Sequence, residues 1–213
     1  MRFPFHPTLR RAAPWVATVL AAACSQDGIP TSPLGPGEEP AANLNVVAVS
    51  PTAAPPDLGA VSFYARPGER SVGRVFLSDQ PGVGRGHEYL RLTIPRDGLL
   101  ARPDGTPIAA GDSVLITIRV VDPSRILFQM EPGGLRFNPA SPAELRIRYE
   151  VAAGDLNHDG LRDAQDDSVE THLGIWRQVD TQSPFVRLES AVWRNNREIR
   201  ASLPGFSLYA IAY

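Results

Sequence analysis

The chain has 213 residues, of which 43% are hydrophobic and 21% are charged. This balance excludes a polytopic membrane protein and a largely disordered chain. All 21 basic residues are arginine, and the net charge of −2 disfavours nucleic acid as a partner, because binding to phosphates needs a basic excess.

The first 23 residues have the pattern of a secretory signal peptide. Three arginines, at positions 2, 10 and 11, precede a short apolar run over residues 12–23, and this region contains no acidic residue. The run is too short to span a bilayer. We therefore predict a signal peptide over residues 1–23.

Cys24 is the only cysteine, so the chain cannot form an internal disulfide. The stretch L-A-A-A-C that ends at Cys24 resembles the lipobox of bacterial lipoproteins. The resemblance implies that Cys24 is acylated and becomes the mature amino terminus, which would anchor the protein to the outer membrane or cell surface. The alternative is an ordinary cleaved signal peptide that leaves a free thiol.

Residues 24–58 are rich in proline and poor in large apolar side chains. Such a segment cannot bury enough apolar surface to fold alone. We predict a Pro-rich disordered tether over residues 24–58, acting as a semi-extended spacer. Val46, Val47 and Val49 are the exception, since they could add an edge strand to the domain that follows.

From residue 59 onward, short β-rich runs alternate with turn signals. Apolar and polar residues alternate over residues 114–120 and 145–149, which is typical of strands with one buried face. This pattern predicts an all-β fold, an antiparallel β-sandwich over residues 59–213. The predicted strands cover residues 61–65, 74–77, 89–94, 113–120, 126–130, 143–149, 174–179, 186–192, 198–203 and 207–213.

The stretch M-E-P-G-G-L-R-F-N-P-A-S-P-A-E-L-R-I-R-Y, residues 130–149, resembles the closing segment of ZU-five-type β-sandwich domains. The resemblance implies a non-catalytic structural or interaction module. We expect Pro132 and Gly134 to form a turn there, and Leu135 and Phe137 to fill one end of the sandwich. The family pattern falls on Pro132, Gly134, Leu135, Phe137, Pro142, Ala143, Leu145, Ile147 and Tyr149.

Residues 155–166 read D-L-N-H-D-G-L-R-D-A-Q-D and have the spacing of a calcium-binding loop. Oxygen-bearing side chains stand at positions 1, 3, 5, 9 and 12, and glycine stands at position 6, where the chain must turn sharply. Calcium takes six to eight oxygen ligands, whereas magnesium keeps more of its water. The alternative is an acidic turn held by hydrogen bonds from its own backbone. The predicted calcium ligands are Asp155, Asn157, Asp159, Leu161 through its carbonyl, Asp163 and Asp166.

The loop has aspartate at position 12, where EF-hands have glutamate, and in this it resembles the dockerin repeat. A dockerin has two such loops and binds a cohesin, whereas this chain has one. A short helix over residues 164–173 is predicted to follow, with Val169 and Leu173 on one face. Residues 154–173 therefore form a loop–helix insertion in the predicted sandwich.

The sequence contains no motif of a hydrolase, metalloprotease, redox or phosphate-binding centre. We therefore predict no enzyme, but a calcium-stabilised binding or scaffolding module with a protein or polysaccharide partner in the cell envelope. Two alternatives stay open. A carbohydrate-binding or enzyme-accessory domain needs an exposed aromatic platform, whereas Trp176 and Trp193 are expected to pack in the core. A half-dockerin docking module needs an exposed apolar face on the helix.

Overall fold

A computed structural model of the chain describes residues 37–57, 59–78 and 85–213. The predicted signal peptide and Cys24 lie outside these residues. Within them the chain is mostly antiparallel strand with one α-helix, which confirms the all-β prediction. The strands are β1 (Glu38–Glu39), β2 (Ala60–Ala65), β3 (Ser71–Ser78), β4 (Arg85–Ile94), β5 (Leu99–Ala101), β6 (Val114–Val120), β7 (Leu127–Glu131), β8 (Arg136–Phe137), β9 (Ala143–Arg148), β10 (Gly174–Gln178), β11 (Phe185–Arg187), β12 (Ser190–Trp193), β13 (Glu198–Leu203) and β14 (Leu208–Ala212), and the helix is α1 (Ala164–Thr171).

Two sheets contain most of these strands. The larger has seven strands in the order β1-β11-β10-β14-β7-β6-β2, and the smaller has five in the order β12-β13-β9-β4-β3. Strands β5 and β8 form a separate pair. Both large sheets contribute to one buried core, where the rings of Tyr89 on β4 and Phe128 on β7 meet edge to face at 5.3 Å. The chain therefore forms two layers with a shared apolar interior.

The alternation of apolar and polar residues in the sequence matches the alternation of buried and exposed side chains in the strands. On β9, Ala143, Leu145 and Ile147 are fully buried, while Arg146 and Arg148 lie on the other face. The apolar carboxyl end is β14, which lies inside the larger sheet between β10 and β7. Period-two patterning thus indicates the core-facing side of β9 from the sequence alone.

The segment around residues 130–149 contains the predicted turn, in which the Leu135 N–H donates to the Pro132 carbonyl, and it continues into β9. Gly134 has a φ of +82°, a conformation that glycine adopts without strain, and it forms the turn before β8. Leu135 and Phe137 are buried, and the Phe137 ring contacts the Phe206 ring at 5.0 Å.

The prediction of a disordered tether is wrong for residues 37–57, whereas Val46 and Val49, which were predicted with Val47 to add an edge strand, form antiparallel bridges to Ala212 and Ala152. Residues 37–50, called the N-terminal strap here, are bonded to the sandwich along their length: β1 pairs with β11, and the Val47 N–H donates to the Ile211 carbonyl at 2.9 Å. Leu44 is buried against Trp176 and Phe185 on the outer face of the larger sheet. Leu44 covers apolar surface of the sheet, and burial of this surface stabilises the ordered conformation of the strap. Composition alone does not show that the sheet offers such a surface.

Residues 186–192, predicted as one strand, form β11 and β12 in different sheets. Between them the Leu188 N–H donates to the Ile175 carbonyl, and the Ser190 hydroxyl accepts from the Ile175 N–H. Leu188 and Val192 both pack against the shared core. The alternation of core-facing residues therefore continues across the change of sheet. For this reason the sequence pattern does not reveal where β11 ends and β12 begins.

Candidate functional site

The predicted calcium loop lies between β9 and α1 and leads directly into the helix. His158 and Gly160 have positive φ angles of 62° and 89°, so the chain reverses sharply at positions 4 and 6 of the loop. Glycine tolerates this conformation without strain, which agrees with its predicted place at position 6. The reversal brings the carboxylate of position 1 against the backbone of positions 5 and 6.

Asp155 organises the first half of the loop. Its two carboxylate oxygens accept hydrogen bonds from the N–H groups of Asp159 at 3.2 Å and Gly160 at 2.8 Å. Asn157 and Asp159 bond the backbone two residues further on, and the Asn157 amide also donates to Asp159 at 2.9 Å. The side chains of positions 1, 3 and 5 are thus gathered on the inner side of one turn.

Asp166, at position 12, closes the second half and is fully buried. One carboxylate oxygen accepts from the Leu156 N–H at 2.6 Å, and the other accepts from the Asp163 N–H at 2.8 Å. The hydrogen bond from the Asp163 backbone lowers the pKa of Asp166, and although burial opposes this, the Leu156 and Asn157 amides add to it. The carboxylate therefore stays ionised while it joins the two ends of the loop.

One predicted ligand, Asp163, is engaged elsewhere. The Asp163 side chain caps α1 by accepting from the Gln165 N–H at 2.7 Å, and with Asp166 it completes a capping box. The Leu161 side chain is exposed, and its N–H donates to Asp159. In the part of the chain that the structure describes, no three acidic, histidine or cysteine side chains converge closely enough to hold a metal ion by themselves. A cation here would need the Asn157 amide oxygen and backbone carbonyls as well.

The helix that follows the loop is joined to the sandwich by a buried polar contact that the sequence pattern missed. Glu170 is 8% exposed, accepts from the Tyr149 hydroxyl at 3.0 Å, and is paired with Arg194 at 3.1 Å. Val169 and Leu173 both pack against the core, although α1 ends at Thr171 and Leu173 lies beyond the helix that was predicted to contain it. Asp166 and Glu170 are one helical turn apart on the inner side of α1, a position where apolar residues are the usual signal.

Further contacts fix the loop and the end of the helix. The Tyr213 hydroxyl donates to the Leu156 carbonyl at 2.6 Å, and Arg187 donates to the His172 carbonyl at 2.9 Å. The loop and α1 are therefore held by Tyr149, which follows β9, by β11, by the short 3-10 helix at residues 194–196 and by the last residue of the chain.

The two tryptophans of the sandwich differ in exposure. Trp176 is buried and donates from its indole N–H to the Ala212 carbonyl at 3.1 Å, as expected for a core residue. The expectation is wrong for Trp193, which is 42% exposed, with the Arg200 guanidinium 4.6 Å from its ring centre. Trp193 lines an open groove of about 410 Å³ together with Glu144, Glu189, Ser190, Ala191, Arg200, Ala201 and Ser202.

No protein family model, curated protein or solved structure matches the chain. Among the described residues, no helix has the length and apolar character needed to cross a membrane.

Proposed function

We propose that this protein is an exported lipoprotein, anchored through Cys24, whose β-sandwich is a non-catalytic binding or scaffolding module stabilised by calcium. The observation that supports the calcium site is the closed 12-residue loop. The carboxylates of positions 1 and 12 both turn inward, toward the backbone of the same loop. This arrangement concentrates negative charge where a hard cation would neutralise it.

The backbone hydrogen bonds within the loop do not use all the acceptor sites of Asp155. A carboxylate offers about four lone-pair sites, and Asp155 uses two of them for backbone N–H groups. The Asn157 amide oxygen and the Leu161 carbonyl would complete the oxygen set that calcium prefers. Without a cation, Asp155, Asp159 and Asp166 would repel one another within one short segment.

The role of calcium in this proposal is structural. The loop is continuous with α1, and α1 is bonded to Tyr149 on one side and to Arg194 on the other. Ordering the loop would therefore stabilise part of the sandwich itself. The exposed side of α1 carries Gln165, Asp167, Ser168 and Thr171, which are polar, so the helix offers no support to a docking role of the dockerin type.

Calcium titration of residues 34–213, which form one compact unit, tests this proposal. At about 2 mM calcium and a Kd of about 10⁻⁴ M, binding would add about 1.8 kcal/mol to the free energy of unfolding. For a domain of this size, that raises Tm by about 4–7 °C. Melting curves in calcium and in chelator measure the rise, and calorimetry should give one site.

The matched variants are Asp155→Asn with Asp159→Asn, in which each side chain keeps one acceptor oxygen. Asp155 uses both of its oxygens for backbone N–H groups, so the double variant should melt below the parent in chelator. Its Tm should then rise much less than the parent's when calcium is added. Asp180→Asn is the control, because Asp180 accepts similar turn hydrogen bonds from Gln182 and Ser183 outside the loop. An equal rise in Tm with calcium for parent and double variant would contradict the calcium site.

A further inference from the structure

Four arginines form one row straight across the smaller sheet. Arg74 on β3 pairs in register with Arg91 on β4, Arg91 pairs with Arg146 on β9, and Arg146 pairs with Arg200 on β13. Neighbouring strands lie about 4.8 Å apart, so the row covers about 14 Å. Like charges directly opposite each other destabilise a sheet. Four arginines in one row therefore lower the stability of the folded sheet.

Two glutamates partly neutralise this arginine row. Glu88 contacts Arg74 at 3.0 Å and Arg91 at 2.7 Å, and it also pairs with Arg146. Glu198 is almost fully buried and pairs with Arg200 at 2.5 Å. The side chains at both ends of the row are nevertheless partly exposed, Arg74 by 44% and Arg200 by 36%.

The outer face of this sheet carries a positive surplus in an acidic protein. With Arg148 added, five arginines face four glutamates there, Glu88, Glu144, Glu189 and Glu198, whereas the whole chain has a net charge of −2. A local surplus of one sign raises the concentration of ligands of the other sign near that surface. Charge complementarity therefore points to an anionic partner on this face.

The groove beside Trp193 continues the arginine row and narrows the choice of partner. Arg200 belongs to both, since it ends the row and lies over the Trp193 ring. The groove also presents the hydroxyls of Ser190 and Ser202 and the carboxylates of Glu144 and Glu189. These carboxylates and hydroxyls can hydrogen-bond the hydroxyls of a sugar ring.

We propose that the outer face of the five-stranded sheet binds an acidic polysaccharide, with uronic-acid carboxylates on the arginine row and a sugar ring against Trp193. This inference rests on the proposed binding role of the domain, but it requires neither the calcium site nor the lipid anchor. Arginine recognises carboxylates through two parallel hydrogen bonds, which suits a regularly charged polymer. An exposed tryptophan supplies apolar contact area for the ring.

The test uses the full chain in non-ionic detergent at low ionic strength. Polygalacturonate is titrated against the protein, and its fully methyl-esterified form serves as the uncharged probe. We expect at least tenfold tighter binding of the acidic form, with an affinity that falls as salt rises. Equal affinity for the two forms, or no binding of either, would overturn the proposal.

Two variants locate the surface. Arg74→Gln with Arg200→Gln should weaken binding about tenfold or more, because it removes the two partly exposed ends of the row. Trp193→Ala should weaken binding about tenfold while leaving the row in place. Melting curves establish whether each variant is folded. If the double arginine variant does not fold, the binding of Trp193→Ala tests the surface instead.

Arg102→Gln with Arg125→Gln is the matched control, since each arginine has one aspartate partner and the change in net charge is the same. An equal loss in this control, or tighter binding of inorganic polyphosphate than of polygalacturonate, would overturn the proposal as an effect of net charge. Cleavage of the polymer would contradict the non-catalytic function instead. Absence of binding by a chain whose Tm still rises with calcium would overturn only the polysaccharide surface.

Discussion

The hydrogen bond between Tyr149 and Glu170 tests whether the loop and α1 contribute to the stability of the sandwich or are only an appendage of it. The Tyr149 side chain is fully buried, and its hydroxyl donates to Glu170 at 3.0 Å. A hydrogen bond to a buried charged group contributes about 1.5–3 kcal/mol. Arg194 remains beside Glu170 when the hydroxyl is removed, so we expect Tyr149→Phe to lose about 1.5–2 kcal/mol.

A loss of that size lowers Tm by about 3–8 °C for a domain of this length. Urea unfolding and melting curves in chelator measure it without any contribution from calcium. Tyr64→Phe is the control, because Tyr64 is 63% exposed and should change stability by less than about 0.5 kcal/mol. A double-mutant cycle with Glu170→Ala should give a coupling energy of about 1 kcal/mol. Additive effects, together with a Tyr149→Phe loss no larger than the control, would refute the docking of α1.

Two further predictions concern the strap and the arginine row. Leu44→Ala should lower the free energy of unfolding by about 2–3 kcal/mol, because Leu44 is buried in the cluster on the outer face of the larger sheet; Leu100→Ala at an exposed site is the control, and equal urea midpoints would show that the strap adds no stability. Burial alone would raise the pKa of Glu88, but hydrogen bonds from Arg91 and Arg146 outweigh it and hold the pKa below its ordinary 4.5. A carboxyl with a depressed pKa in the folded state contributes stability that is fully present above its unfolded pKa and is lost as pH falls through the folded value. Urea midpoints should therefore fall below about pH 4.5, and less steeply in Glu88→Gln; parallel curves for parent and variant would contradict this.

The features of the fold that the sequence predicted are those set by local patterning. Strands β6 and β9 alternate cleanly, and the predicted bounds differ from the observed ones by one residue at one end of each. The closing strand β14 was also foreseeable, because its apolar residues leave no solvent-facing side. Local patterning determines which face of a strand is buried, and that is enough to assign the fold class.

The features that the sequence did not predict depend on contacts distant along the chain. Leu44 is ordered because Trp176 and Phe185 lie beneath it, and these residues are more than 130 positions away. Val47 is also bonded to Ile126 and Ile211, which lie 79 and 164 positions away along the chain. Composition correctly describes a proline-rich segment as unable to fold alone, but it does not show that the sandwich offers an unpaired edge.

The calcium loop and the arginine row differ in the same way, since the loop is local in sequence and the row is not. The loop was visible in the sequence because Asp155, Asp159 and Asp166 lie in one 12-residue segment with glycine at position 6. The arginine row was not, because Arg74, Arg91, Arg146 and Arg200 become neighbours only through the strand registers. Alternation placed Arg146 on the solvent side of its strand, but no pattern within a single strand indicates which residues stand opposite it.

The strap and the loop also depend on each other. The Ser50 N–H donates to the Val151 carbonyl at 2.8 Å, and the Ala153 N–H donates to the Ala48 carbonyl at 3.0 Å. These bonds lie immediately before Asp155, so the strap is bonded to the residues that lead into the loop. If calcium orders the loop, it also orders the segment to which the strap is bonded. A calcium site at this position would therefore stabilise the join between tether and domain as well as the loop itself.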